Sequence, residues 1–257
     1  MKIIKIPFEE GALGKNKGCA QSPGKILEAL NADALSEENN AVKKEISEVR
    51  IEKNDFKKTN ESIFNEIKKI NSGIILGGDH SITYSSFRAS GCDGLVIFDA
   101  HPDLMSGTDM PSHEDFLRKL IEEKSVLPEN VILFGIRSWH SSEMDFIKKN
   151  DIKFFTMKYI FEFGIKEITD TLMELARKFS RLYVSVDIDV ADPAFAPGTG
   201  YAEPGGLTSR ELIYAIQRVK HLKNLKFLDI VEVNSLKDSQ NMTVNLAAKI
   251  VKETGNV

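Results

Sequence analysis

One stretch of the chain decides both the fold and the chemistry that we expect of it: Leu95-Val96-Ile97-Phe98-Asp99-Ala100-His101-Pro102-Asp103. Its first four residues are apolar and β-prone, which predicts a buried strand. In extended backbone, side chains at positions i, i+2 and i+4 point to the same side. Asp99, His101 and Asp103 should therefore converge at the end of this strand.

Similar arrangements occur at two other places in the chain. Asp187 and Asp189 follow the apolar run 182–186, and His80 closes a glycine turn after the apolar run 74–76. Crowded carboxylates repel one another in a low dielectric unless a cation neutralises them. Ligation by oxygen and imidazole without thiolate suits Mn²⁺ or Mg²⁺, and it also admits Zn²⁺, Fe²⁺, Co²⁺ or Ni²⁺. Four carboxylates balance two divalent ions, which predicts a two-metal site that activates water.

Each of these residues also has an ordinary structural interpretation. An Asp at a strand end is commonly a turn former or a helix cap, and a single His is commonly structural. Asp-x-Asp alone is a weak pattern. Three such segments in one chain, each after an apolar strand, favour the metal site.

Composition excludes several classes of function. The chain has 257 residues, of which 42% are hydrophobic and 28% charged, as in globular proteins. A net charge of −4 gives no reason to expect nucleic acid or an anionic membrane as a partner. No apolar run approaches the ~18 residues that span a bilayer. Two cysteines, together with an N-terminus that reads as a strand, predict a cytoplasmic protein.

Strand-like and helix-like runs alternate along the chain, which predicts a mostly parallel sheet with helices on both faces and a site beyond the carboxyl ends of the strands. Helical spacing predicts helices at 62–70 and 208–219, the second opened by a capping box of Thr208 and Glu211. The predicted strands are 3–7, 48–52, 73–76, 95–98, 131–134, 153–156, 182–186 and 226–231.

Three motifs resemble the signatures of the ureohydrolases, the arginase/agmatinase family: Gly77-Gly78-Asp79-His80-Ser81, Asp99-Ala100-His101-Pro102-Asp103 and Asp187-Ile188-Asp189-Val190-Ala191-Asp192-Pro193. The match continues through residues 203–208 and 229–234, and it is closest to agmatinase-like members. It implies an α/β fold, a three-layer α/β/α sandwich around a mostly parallel sheet of about eight strands. It also implies a single catalytic domain over residues 1–257.

The resemblance further implies two ligand sets. One ion is held by His80, Asp99, Asp103 and Asp187, and the other by Asp99, His101, Asp187 and Asp189. A hydroxide between the ions would attack the guanidinium carbon and release urea and an amine. Asp103 would orient that hydroxide and later move its proton. Glu232 would face the cationic guanidinium, which is a favourable charge-assisted pairing.

Two further substrate contacts are implied at positions where the chain departs from the family pattern. His113 corresponds to a histidine that shuttles protons or binds substrate, but Glu114 follows it where Gly is usual. His113 could equally belong to the start of a helix that runs to Lys124. Tyr201 stands where Thr is usual, and we expect it to narrow the pocket or stack on the guanidinium.

The predicted function is that of a metal-dependent amidinohydrolase with two Mn²⁺ ions, converting agmatine to putrescine and urea. Arginine, guanidinobutyrate and formiminoglutamate stay open as substrates. The loop at 104–112 is shorter than in arginases and has no Asn, which disfavours arginine. Alternatives from other classes are a catalytically silent metal-binding relative and a single-metal deacylase. The expected partners are a small guanidino molecule and further copies of the chain, in a trimer or hexamer, without nucleic acid or membrane.

Overall fold

The computed structural model describes residues 2–30, 35–41, 44–107 and 109–255. Residues 1, 31–34, 42–43, 256 and 257 of the predicted domain, and Thr108 of the loop at 104–112, lie outside this description. The strands are β1 (Lys2–Ile6), β2 (Glu45–Glu48), β3 (Gly73–Gly77), β4 (Gly94–Phe98), β5 (Val131–Ile136), β6 (Lys153–Thr156), β7 (Leu182–Asp187) and β8 (Leu225–Val231). They form one sheet in the order β2-β1-β3-β8-β7-β4-β5-β6, and every pair is parallel.

Helices cover both faces of the sheet. They are α1 (Ser22–Ala29), α2 (Phe56–Ile67), α3 (Ile82–Ser90), α4 (Phe116–Glu122), α5 (Ser141–Asn150), α6 (Met157–Phe163), α7 (Ile165–Ala176), α8 (Ser209–Val219) and α9 (Met242–Thr254). Helices α1 and α6 to α9 pack on one face, and α2 to α5 pack on the other. Successive strand residues serve opposite faces: Val96 and Phe98 belong to one apolar layer, and Leu95 and Ile97 to the other. The predicted three-layer sandwich is therefore confirmed.

The prediction of one strand was wrong. The strand expected at 48–52 lies at Glu45–Glu48, at the edge of the sheet, and its residues are all exposed. An exposed edge strand carries no apolar pattern from which it could be recognised. Val49, the next residue, is buried, and its N–H donates to the carbonyl of Lys5 at 2.9 Å.

Two helix predictions can be compared with the structure in detail. The helix expected at 208–219 is α8, and Thr208 and Glu211 form the predicted capping box. The helix expected at 62–70 begins earlier, at Phe56, because Asp55 accepts a hydrogen bond from the Lys58 N–H at its start. Among the described residues, every helix is too short or too polar to cross a bilayer.

Candidate metal centre and substrate cleft

Four neighbouring strands in the middle of the sheet bring the predicted site residues together. Asp187 is the last residue of β7, Asp99 directly follows β4, and Glu232 directly follows β8. His80 lies three residues beyond the end of β3. Because the strands are parallel, their carboxyl ends share one edge of the sheet. Residues that are far apart in the sequence therefore meet there.

The backbone at this edge is tightly constrained. The carbonyl of Gly78 accepts a hydrogen bond from the Glu232 N–H at 2.7 Å, which joins the turns after β3 and β8. A Cβ atom on Gly78 would lie 1.8 Å from the carbonyl oxygen of Phe8, so only glycine fits this position. Asp103 and Glu232 both adopt left-handed backbone conformations, with φ of 53° and 62°. Such strain outside glycine is characteristic of functional sites.

The six predicted metal ligands form one group, which we call the metal-ligand cluster: His80, Asp99, His101, Asp103, Asp187 and Asp189. The Nδ1 atom of His80 lies 3.0–3.2 Å from one carboxylate oxygen each of Asp99, Asp103 and Asp187. Ligand atoms of His80, Asp99 and Asp187 all lie within 4.8 Å of one another. That spacing is suitable for one cation.

A second set of ligand atoms lies beside the first. Asp99, His101 and Asp189 also have ligand atoms within 4.8 Å of one another. The Nδ1 atom of His101 lies 3.1 Å from Asp189 Oδ2 and 3.5 Å from Asp99 Oδ1. Backbone N–H groups orient two of the carboxylates, because His101 donates to Asp99 at 2.6 Å and Asp189 donates to Asp187 at 2.9 Å. Asp99 belongs to both sets, as expected of a bridging ligand.

The electrostatics of the metal-ligand cluster fit a cation between the side chains. The Nδ1 of His80 and the Oδ2 of Asp99 are buried without a hydrogen bond of acceptable geometry, although opposite charges lie close by. Burial and the charge of Asp99 raise the pKa of Asp103 to about 7. Burial, followed by the charges of Asp189 and Asp99, raises the pKa of Asp187 well above its usual value. These carboxylates destabilise one another, and divalent ions would remove that repulsion.

A buried hydrogen-bond network orients His80 from behind. Its Nε2 lies 2.9 Å from the hydroxyl of Ser185, which donates to Asp229 at 2.6 Å. Tyr183 and Thr83 also donate to Asp229, each at 2.7 Å. Sequence reasoning missed this network. Ser185 stands two residues before Asp187 on the same face of β7, and Asp229 interrupts an apolar strand, so both signals were present.

A cavity of about 360 Å³ opens above the metal-ligand cluster. Its lining includes three of the four ligand carboxylates, and the predicted contacts His113, Tyr201 and Glu232 all face it. Its lining residues are His101, Asp103, Met105, His113, Glu114, Ser138, Trp139, His140, Glu143, Asp187, Asp189, Tyr201, Glu203 and Glu232. The structure therefore brings every predicted site residue to this cavity or directly beneath it.

Glu232 is held in one orientation by three neighbours. Its Oε1 accepts from the His80 N–H at 2.7 Å and lies 3.3 Å from His113 Nδ1. Its Oε2 accepts from the side-chain amide of Asn16 at 2.6 Å. Burial opposes ionisation, but the hydrogen bond and charge of His113 lower the pKa of Glu232. Asn16, which in turn accepts from Asn234 at 2.7 Å, was not predicted, because it lies in a loop without a recognisable motif.

His113 is buried and precedes the helix that was expected to run to Lys124. That helix, α4, ends earlier, at Glu122, and its N-cap residue is Asp115 rather than His113. Among the described residues, the Nε2 atom of His113 has no hydrogen-bond partner. Burial alone would lower the pKa of His113, but the hydrogen bond and charge of Glu232 raise it to about 9.

Arg137 holds the loop that carries Asp189 and Tyr201. Its Nη2 atom donates to the carbonyl of Asp189 at 2.6 Å and to that of Glu203 at 2.7 Å, with further bonds to neighbouring carbonyls. The guanidinium thus links a metal-ligand residue to the wall of the cavity. Its nitrogen atoms are directed at backbone carbonyls, and Arg137 is absent from the cavity lining.

A family model described as the arginase family matches residues 1–255. The chain belongs to the arginase family. It is 35% identical over 213 residues to an arginase of Staphylococcus aureus, covering 76% of this chain and 70% of that protein. It is 30% identical over 269 aligned residues to formimidoylglutamase of Bacillus subtilis, covering 97% of this chain and 84% of that protein. An agmatinase of B. subtilis is 35% identical over 187 residues, covering 69% of this chain and 61% of that protein.

Solved structures agree with this family membership. The crystal structure of B. subtilis formimidoylglutamase superposes with a TM-score of 0.91 at 28% identity, covering 98% of this chain and 85% of that one. This arginase-family chain is therefore an enzyme, a hydrolase of amidino C–N bonds. Its relatives carry three different names, so family membership leaves its substrate open.

Proposed function

We propose that this chain holds two divalent metal ions, with Mn²⁺ as the leading candidate, and hydrolyses agmatine to putrescine and urea. The observation that carries the proposal is the position of Glu232. This buried carboxylate lies beside the metal-ligand cluster, faces the same cavity, and has a lowered pKa. A buried anion directed into a cavity is suited to bind a cationic guanidinium.

The donor set of the metal-ligand cluster supports two ions. His80, Asp99, Asp103 and Asp187 would hold one ion, and Asp99, His101, Asp187 and Asp189 the other. Bound there, such ions lower the pKa of water and polarise the bond that is attacked. The network of Ser185 and Asp229 behind His80 supports this assignment, because metal-binding histidines normally have a partner for their second ring nitrogen.

The remaining steps use side chains of the cavity. Glu232 binds the guanidinium and directs its carbon towards the metal-ligand cluster, since Asn16 and the His80 N–H fix the carboxylate. Asp103 orients the attacking water and passes its proton to the leaving amine. His113 contacts the substrate or moves protons with its unpartnered Nε2. Tyr201 narrows the cavity beside it.

Hydrolysis of formimidoylglutamate is the second candidate. The observation in its favour is the extent of the match to B. subtilis formimidoylglutamase, which covers 97% of this chain. That substrate would bring a carboxylate-bearing tail into a cavity whose lining is rich in acidic side chains. We therefore rank it below agmatine.

The test is product release by the purified, Mn²⁺-loaded chain from agmatine, arginine, guanidinobutyrate and formimidoylglutamate, with metal analysis of the same sample. We expect two ions per chain and the highest kcat/KM with agmatine. One ion per chain would favour the single-metal deacylase. Two ions without any turnover would indicate a catalytically silent relative.

We also propose that the chain is one catalytic domain and assembles in the cytoplasm as a homotrimer or homohexamer, as the family resemblance implies. Light scattering during gel filtration measures the molar mass of the assembly directly. A monomer at micromolar concentration would contradict it.

A further inference from the structure

Three neighbouring residues of the cavity lining, which are partly exposed, form a group that we call the acidic rim: Glu114, Tyr201 and Glu203. The hydroxyl of Tyr201 donates to Glu114 Oε1 at 2.9 Å. The ring of Tyr201 stacks on that of His113, with centroids 5.8 Å apart and planes 25° apart. It also contacts the ring of His101 at 5.6 Å. Tyr201 therefore holds the Glu114 carboxylate at a defined place above the metal-ligand cluster.

The charges around the cavity are unequal. Among its described lining residues there is no Lys or Arg, whereas seven are Asp or Glu. His113, with its pKa raised to about 9 chiefly by Glu232 against the effect of burial, adds one positive charge near neutral pH, so the acidic side chains still predominate. Metal ions would neutralise the ligand carboxylates, and a bound guanidinium would neutralise Glu232. Glu143 is occupied by two backbone N–H groups, those of Leu104 and His140. This leaves Glu114 and Glu203 of the acidic rim as negative charges available to a ligand.

A second observation concerns the space between Glu114 and Glu232. His113 is 4% exposed and lines the cavity, and within the part of the chain that the structure describes its Nε2 has no hydrogen-bond partner. Glu232 lies 3.3 Å from the Nδ1 of this ring, and Glu114 lies 3.9 Å from its Nε2, too far for a hydrogen bond. The two carboxylates thus flank one imidazole ring. A short alkyl chain can connect a guanidinium at Glu232 to a second charged group at Glu114.

We propose that Glu114, held by the hydroxyl of Tyr201, is a specificity-determining residue that binds an ammonium group on the substrate tail. This inference rests on the proposed function and deepens it, because it assigns tail recognition to particular atoms. Substrates with a carboxylate in place of the ammonium are rejected by repulsion from Glu114, which is a means of selecting against a competing ligand. The substrate class is that of aminoalkyl guanidines.

The experiment compares agmatine with 4-guanidinobutyrate, which carry tails of opposite charge. For Glu114→Gln we expect kcat/KM for agmatine to fall about 10- to 100-fold, through KM, because a hydrogen bond to a charged group is lost. The value for 4-guanidinobutyrate should rise. Tyr201→Phe keeps the ring but removes the hydroxyl that holds Glu114. The fall in kcat/KM for agmatine should therefore be smaller, about 3- to 10-fold. Glu129→Gln, at an exposed position outside the cavity, is the matched control and should change neither value.

Two results separate this inference from the proposed function. Turnover of agmatine with an unchanged preference in Glu114→Gln would overturn the inference and leave the proposed function standing. Absence of agmatine turnover by the unsubstituted chain would overturn the proposed function. In that case, calorimetry with the Mn²⁺-loaded chain still tests the inference: Glu114→Gln should weaken agmatine binding about tenfold or more. Equal binding to both proteins would overturn it.

Discussion

The metal-ligand cluster and the acidic rim face the same cavity, but different parts of the fold position them. Asp99 and Asp187 stand at the ends of fully buried central strands, and backbone N–H groups orient their carboxylates. Glu114 and Tyr201 lie in loops, and one side-chain hydrogen bond joins them across 87 residues of sequence. The Glu114 side chain is 38% exposed, whereas that of Asp99 is 1% exposed.

With the roles that we propose, this difference assigns the reaction to the metal-ligand cluster and the choice of substrate to the acidic rim. Moving a carboxylate of the metal-ligand cluster requires a shift of strand register, which would disturb the packed layers on both faces of the sheet. A substitution in the acidic rim changes a loop contact and leaves the strands in place. Substrate choice can therefore vary while the hydrolytic chemistry is retained. The three names of the relatives agree with such a division.

The largest effect should come from the metal-ligand cluster itself. Asp103→Asn should lower kcat at least about 1000-fold, because a ligand and the group that orients water are lost together. Without metal, the free energy of unfolding of this variant should not fall below that of the unsubstituted chain. Burial and the charge of Asp99 already disfavour the ionised form of Asp103, and asparagine carries no charge. Urea release and denaturant unfolding measure the two quantities. Asp170→Asn, in an exposed ion pair with Arg218, is the control and should change kcat little. Retained turnover in Asp103→Asn would remove the proposed role.

Glu232→Gln tests the residue that lies beneath the cavity beside the metal-ligand cluster. We expect kcat/KM for guanidino substrates to fall about 300-fold, whatever the charge of their tails, because a buried carboxylate loses its charge. This contrasts with Glu114→Gln, which should separate the substrates by tail. Glu174→Gln, exposed on α7, serves as the control. A substrate panel unchanged by Glu232→Gln would show that another group binds the guanidinium.

The smallest effect concerns His113, which lies between the metal-ligand cluster and the acidic rim. Its pKa in the folded chain is about 9, above the usual 6.5, owing to Glu232 and despite burial. The interaction of protonated His113 with Glu232 should therefore stabilise the metal-free fold by about 3 kcal/mol below pH 6.5. This contribution should disappear as the pH rises to about 9. The free energy of unfolding of the unsubstituted chain and of His113→Asn, measured in the presence of a chelator across this pH range, gives the contribution as a difference. A difference independent of pH would contradict the pairing.

Sequence alone could predict much of the metal-ligand cluster because its ligands are local. Asp99, His101 and Asp103 directly follow β4 at a spacing of two residues, so they stay close together although the chain bends after the strand and Asp103 has a left-handed backbone. Asn16 escaped prediction for a different reason. It acts through Glu232, a partner distant in the chain, and no spacing in the sequence records such a contact.

The alternation of strands and helices, the candidate ligands and the family motifs could all be read from the sequence, because each depends on short-range periodicity and on the chemistry of side chains. The strand order, which sets β3, β8, β7 and β4 side by side, became visible only in the tertiary structure. The tertiary structure alone joined Tyr201 to Glu114 above His113. The physical reason is that packing and long-range hydrogen bonds, rather than neighbouring residues, determine which loops meet at the edge of a parallel sheet.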